Sequence, residues 1–147
     1  MERFLSTFAN KIDRKGRVSV PADFRAVLSK RGAQAVVLYP SIHVEAIEGA
    51  GEDYLDQLSK RIESLPPLSA ERDDLIDAIM PAIRRLPFDS EGRIMLPDNL
   101  IARARLTDTA LFVGRFDNFQ IWDPETWRKR QAQALTRARA MRDGGRK

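Results

Sequence analysis

The chain has 147 residues, of which 43% are hydrophobic and 31% charged, enough for one domain or two small ones around a buried core. It contains no cysteine and a single histidine, His43, so disulfides, thiol nucleophiles and Cys- or multi-His-ligated metal sites are excluded. No stretch approaches the roughly 18 apolar residues of a membrane span, and the first residues lack the apolar core of a secretory leader. The expectation is a soluble, cytoplasmic protein with no membrane partner.

The net charge of +4 is unevenly spread. Residues 1–31 hold eight Lys/Arg against three Asp/Glu, and residues 125–147 hold eight against two. Between them, residues 32–80 hold three basic and ten acidic residues. Two basic ends flank an acidic middle, and basic blocks attract polyanions, of which nucleic acid is the commonest in a cytoplasm.

In chain order, an apolar-rich segment (Phe4–Ile12) leads into Asp13-Arg-Lys-Gly16-Arg17. Asp at a turn start accepts backbone N–H bonds, and Gly tolerates positive φ. Val18 and Val20 then alternate as in a strand, predicting a β-hairpin with a four-to-five-residue loop. Pro21 stops the strand and suits a first helical turn. Phe24, Val27 and Leu28 share one face of a short helix, with Gly32 as its C-cap. Strands are predicted at 35–39 and 42–47, placing His43 in an apolar strand as a packed or rim residue.

The acidic middle reads as helical. Leu55, Leu58, Ile62 and Leu65 recur at helical spacing until Pro66-Pro67. Ser69 can cap a second helix carrying Leu75, Ile76, Ile79 and Ile83, ended or kinked by Pro81.

Residues 89–98 (DSEGRIMLPD) then repeat residues 13–22 (DRKGRVSVPA). The shared skeleton D-x-x-G-R-φ-x-φ-P, with φ aliphatic, pairs Asp13 with Asp89, Gly16 with Gly92 and Arg17 with Arg93. A duplicated ββαββ unit of about 45 residues is the natural reading. The second copy starts from Ile83–Phe88, carries Leu100 and Ala104 on its helix, and closes with strands at 110–116 and 118–122 around an Asp117-Asn118 turn. Asp123-Pro124 opens a last helix through Trp127, Leu135 and Met141, whose Arg-rich remainder is expected to fray toward Gly144-Gly145. The organisation is thus repeat 1 at 4–50, a helical linker at 51–81, repeat 2 at 82–128 and a basic tail at 129–147.

The doubled motif resembles the DNA-binding module of the SpoVT/AbrB superfamily. Two copies, with D-x-K-G-R-V-S-V-P-x-x-F-R in the first and F-x-I-W-D-P in the second, resemble the MraZ family. The resemblance implies an α+β fold in which the two ββαββ units form a swapped-hairpin β-barrel with flanking helices, and subunits assembled into a homo-oligomeric ring. It also implies a nucleoid-associated transcriptional regulator of repeated promoter sites upstream of the division and cell-wall gene cluster, its own promoter included.

The two turns differ in charge. DRKGR sums to +2 and DSEGR to −1, so contact with double-stranded DNA is assigned mainly to Arg14, Lys15 and Arg17. Arg17 has a competing reading as a staple to Asp13. Arg3, Lys11 and Arg25 are second-rank phosphate contacts. Asp13, Gly16, Asp89, Gly92 and Arg93 are assigned to turn structure. Trp122, Trp127, Phe112, Phe116 and Phe119 fit a core better than a base-stacking platform. The Arg-rich tail is open between a solvated face, a partner contact and an accessory DNA clamp.

Nothing marks an enzyme. Catalytic use of Asp13 and Asp89 needs them close together with a substrate between. Phosphate-loop, nucleophile-elbow and HExxH zinc motifs are missing. No cofactor, metal or small-molecule substrate is expected. The alternatives to a DNA-binding regulator are a structural ring protein and an antitoxin-like DNA-binding protein.

Overall fold

A computed structural model describes residues 2–144. The first half contains strands β1 (Thr7–Lys11) and β2 (Arg17–Ser19), helix α1 (Ala22–Lys30), and strands β3 (Ala35–Pro40) and β4 (Ile47–Ala50). Helices α2 (Glu52–Glu63) and α3 (Ala70–Ile79) follow, then a 3-10 turn at Met80–Ala82. The second half contains β5 (Arg84–Pro87), β6 (Arg93–Met95), α4 (Asp98–Arg103), β7 (Thr109–Gly114) and β8 (Phe119–Trp122), before the long helix α5 (Pro124–Gly144). The fold is α+β.

The first two strands of each half pair with the other half. A six-stranded sheet runs β1-β7-β8-β4-β3-β5, and β2 and β6 form a separate ribbon. Phe8 of β1 lies opposite Phe112 of β7, Leu86 of β5 opposite Val36 of β3, and Val18 of β2 opposite Ile94 of β6. The expected local hairpin is therefore corrected: β1 and β2 belong to different sheets, although the turn between them is closed by the Asp13 N–H donating to the Arg17 carbonyl at 2.9 Å. The exchange lets Val18 and Ile94 meet face to face and vanish into the core. The large sheet ends at β1 and β5, so the described strands form no closed barrel.

One main core lies between the ribbon, α1 and α4 on one side and the inner face of the large sheet on the other. Phe24 of α1 is its centre, with ring centroids 5.2 Å from Phe4, 5.4 Å from Phe8, 6.3 Å from Phe112 and 5.2 Å from Phe119. Burying such rings is the largest favourable term here, at about 25 cal/mol per Å². Trp122, Phe112 and Phe119 are buried, as the core reading expects, whereas Phe116 is 62% exposed.

The helix signals operate as chemistry requires. The Ser69 hydroxyl accepts from the Arg72 N–H at 3.2 Å and the Asp123 carboxylate from the Thr126 N–H at 3.1 Å. At the end of α1 the Ala33 N–H returns to the Leu28 carbonyl around Gly32. Pro81 passes the chain through the 3-10 turn into β5.

Several boundaries differ from expectation: α2 stops before Leu65, α3 before Ile83 and β7 at Gly114. Residues 42–46 form a bend, not a strand, because the Ser41 hydroxyl accepts from the His43 and Val44 N–H groups and curls the chain. His43 is consequently exposed on a loop. The last helix also persists through Gly144 without fraying among the described residues; the remainder of the tail, 145–147, lies outside them. No described helix is long and apolar enough to cross a membrane.

Candidate nucleic-acid interface

The two D-x-x-G-R motifs build the same turn twice. In turn 1, one Asp13 oxygen accepts from the backbone N–H groups of Lys15 and Arg17, both at 2.9 Å, and the other accepts from Arg17 Nε at 2.7 Å. In turn 2, Asp89 accepts from the Glu91 and Arg93 N–H groups and from Arg93 Nε, all at 2.9 Å. Gly16 and Gly92 sit at φ +84° and +77°, which a side chain would strain. Accepting backbone N–H bonds, from Arg17 and Arg93 first, holds both carboxyl groups below their ordinary value. Each aspartate serves its own turn.

The ribbon joins the turns in antiparallel register, Arg17 opposite Met95 and Ser19 opposite Arg93. Period-2 alternation sends Val18, Val20, Ile94 and Leu96 inward. Arg17, Ser19, Arg93 and Met95 share the other face, with the two arginines at diagonal corners. The turns bracket this face at its two ends. Crossing bonds tie them together: Leu96 N–H to the Gly16 carbonyl at 2.8 Å, and Val20 N–H to the Gly92 carbonyl at 3.2 Å.

The guanidinium groups of the two turns differ in what surrounds them. Arg93 is gripped twice, by Asp89 at Nε and by Glu91 at Nη2, 3.2 Å away. Those carboxylates hold its charged form more firmly than usual, Asp89 foremost. Lys15 stands where Glu91 stands, so Arg17 is held at Nε alone and the outer edge of its fork is left to solvent. Arg14 and Lys15 are exposed and enter no ion pair among the described residues. The staple and the outward-facing fork therefore coexist in Arg17.

Of the other predicted contacts, Lys11 is exposed at the end of β1, two residues before Asp13, and joins the turn 1 group. Arg25 lies elsewhere: its Nε donates to the Val20 carbonyl at 3.1 Å, and its guanidinium packs over Gly92 of turn 2. Arg3 is at the opposite end of β1, 3.8 Å from Asp117 and over the Phe116 ring. Sequence reasoning overlooked Ser19 and Met95, although the outward phase of the Val18/Val20 and Ile94/Leu96 alternation marks both positions.

Arg31, 15% exposed, braces the far side of the molecule. It donates to Asp53 at 3.0 Å, to the Glu2 carbonyl at 2.7 Å and to Asp117 at 3.4 Å, tying α1 to α2, to the N-terminal arm and to the β7–β8 turn.

Comparison with known proteins places this geometry. The family model "MraZ protein, putative antitoxin-like" matches residues 84–143. A protein of Pelagibacter ubique named transcriptional regulator MraZ is 44% identical over 139 residues, 95% of this chain and 90% of its own length. Namesakes from Xanthobacter autotrophicus (41% identical; 97% of this chain, 90% of the relative) and Rickettsia bellii (43%; 97% and 95%) match as fully. Sequence identity of this order over nearly the whole of each chain means that the chain belongs to the MraZ family.

Proposed function

We propose that the protein is a DNA-binding transcriptional regulator, not an enzyme, and that turn 1 is its principal contact with double-stranded DNA. The observation that carries this is a difference between two turns closed by the same hydrogen bonds: Lys15 stands in place of Glu91, so Arg17 lacks the second carboxylate that engages Arg93 at Nη2. The regulator names of the relatives support the same reading. Arg14, Lys15 and Lys11 supply phosphate contacts, and Arg17 is placed for a phosphate or for guanine O6/N7. A two-stranded ribbon fits the width of a major groove, so Ser19 and Met95 are carried in with it. Arg3 and Arg25 add positive potential at the periphery.

The finer reading is that 4–50 and 82–128 are duplicated SpoVT/AbrB-type modules that exchange their hairpin strands, joined by the 51–81 linker. Copies assemble into a ring that presents turn 1 repeatedly to repeated promoter sites, those of the division and cell-wall cluster and its own promoter among them, on the nucleoid. Multivalency raises the affinity of a module with few contacts. The unpaired edge of β1, with Leu5 55% and Phe116 62% exposed beside it, supports assembly. So does the complementarity between the acidic 52–80 segment and the basic N-terminal region.

The test is a gel-shift titration on DNA from upstream of its own gene, repeated across salt. Wild type gives a steep negative slope of log K against log salt. Arg17→Ala loses about tenfold or more in affinity per contact while it stays folded with unchanged mass by light scattering, its melting temperature lowered only by the small loss of the partly exposed Asp13 pair. Wild-type binding by Arg17→Ala would refute the assignment, and a monomer mass at both low and high salt would refute the ring.

A further inference from the structure

The outer face of the large sheet is covered by two separate apolar patches. α2 and α3 close over Val37 and Tyr39 with Leu58, Ile62 and Ile79. α5 and the bend after Ser41 close over Val113 and Trp122 with Trp127 and Val44. Between them β4, β8 and the turn just before β8 carry a polar strip, Glu48, Gln120 and Asn118, that lines a cavity of about 550 Å³. That volume falls among small-ligand sites.

The strip is built as a directed ladder. Trp122 Nε1 donates to Gln120 Oε1 at 2.9 Å, Gln120 Nε2 to Glu48 Oε2 at 3.0 Å, and Asn118 Nδ2 to Glu48 Oε1 at 3.1 Å. Asn118 and Gln120 are only 8% and 5% exposed, so the ladder is fixed. It orients a half-buried carboxylate whose polar partners are all neutral amides. Its charge has no cation within ion-pair distance among the described residues. Burial first, and then the charge of Glu48, pushes the Tyr39 hydroxyl up. A half-buried anion among the rings of Tyr39, Trp122 and Trp127 is complementary to an organic cation. The same cavity is lined by Arg61, Arg115 and Arg130, none of which has an acidic partner among the described residues.

We propose that this cavity binds a small zwitterion of amino-acid or short-peptide chemistry, its ammonium on Glu48 between the aromatic walls and its carboxylate on Arg61 and Arg130. The site lies on the face of the sheet opposite the ribbon. Its test involves no DNA, so the proposed function can fail without it, and the reverse.

The experiment is calorimetric titration of the full chain with leucine, glycyl-leucine and triglycine, each also N-acetylated and C-amidated. Saturable binding of at least one unblocked zwitterion is expected. Acetylation or Glu48→Gln should weaken it about tenfold or more, as should amidation or the double variant Arg61→Ala/Arg130→Ala, since each removes a charged hydrogen bond. Absence of saturable binding by all three probes overturns the proposal, as does affinity indifferent to blocking the ammonium. If Glu48→Gln fails to fold, the Arg61→Ala/Arg130→Ala variant, at one exposed and one half-buried position, decides: unchanged affinity there also overturns it.

Discussion

Turn 1 and turn 2 share a backbone, an aspartate lock and a glycine at positive φ, yet their surroundings make them different instruments. At turn 2, Glu91 and Asp89 together occupy the Arg93 fork, and Arg25 crosses from the other half to pack over Gly92. At turn 1, Lys15 repels the fork that Glu91 would hold, and the position matching Arg25 is Ile101, an apolar group 3.8 Å from where a Gly16 side chain would begin. The two turns thus keep the same folding device in different surroundings: turn 2 is packed by an arginine from the other half, and turn 1 carries Arg14, Lys15 and Arg17. The lesson is that an identical local motif does not carry an identical role; one residue beside the arginine decides whether its charge is satisfied internally.

The largest expected effect comes from exchanging that decision. Arg14→Ser with Lys15→Glu turns DRKGR into DSEGR, and DNA affinity should fall roughly a hundredfold at low salt, with a salt slope shallower by about two. The reciprocal Ser90→Arg with Glu91→Lys should raise affinity and release Arg93. Neither pair should move the melting temperature beyond the small change expected of surface substitutions. Equal DNA binding by all three proteins in a gel shift would erase the distinction between the turns.

Next in size are the glycines. Gly16→Val and Gly92→Val should each cost roughly 1–3 kcal/mol in thermal or denaturant unfolding, because a β-branched residue is strained at positive φ. Alanine sharpens the comparison. Its Cβ at Gly16 would lie 3.3 Å from the fixed Leu96 carbonyl, whereas at Gly92 it would press 2.5 Å from the mobile Arg25 Nη1. Gly92→Ala should therefore be the milder of the two wherever Arg25 can swing aside, and Gly92→Ala in an Arg25→Ala background milder still.

Arg25→Ala alone removes the cross-brace and its bond to the Val20 carbonyl, for about 1 kcal/mol. It should lower stability while the salt slope of DNA binding changes by less than for turn 1 variants. A slope loss matching that of Lys15→Ala would move Arg25 into the contact surface.

The smallest effect concerns pH. Both aspartates titrate below their ordinary value of 3.8 when folded. A depressed carboxyl contributes stability that is fully present above its unfolded value and is lost as pH falls through the folded one. Both turns should therefore be indifferent to pH near neutrality and loosen together below about pH 4. Asp13→Asn and Asp89→Asn should flatten that acid limb equally in chemical unfolding, and an unequal response would mean that the locks are not equivalent.

Much of this was legible in the chain. The turns could be read because their chemistry closes within five residues: Asp13 reaches only Lys15 and Arg17. The caps at Ser69, Asp123 and Gly32 are equally local, and the burial of Phe24, Phe112 and Phe119 follows from alternation and helical spacing. The opposed charges of the two turns are plain in their letters. Which strand pairs with which was not legible, because alternation places Val18 inward whether its neighbour is β1 or β6, and a tight turn does not oblige its arms to pair. Only tertiary structure decided the exchange, by bringing Val18 onto Ile94 and Phe8 onto Phe112 across the repeat. It also decided the place of Arg25. Whether Arg17 or Arg93 meets a second carboxylate is set inside its own turn, by Lys15 or Glu91, but the seat of Arg25 over Gly92 depends on packing between residues distant in the chain, which no local pattern reports.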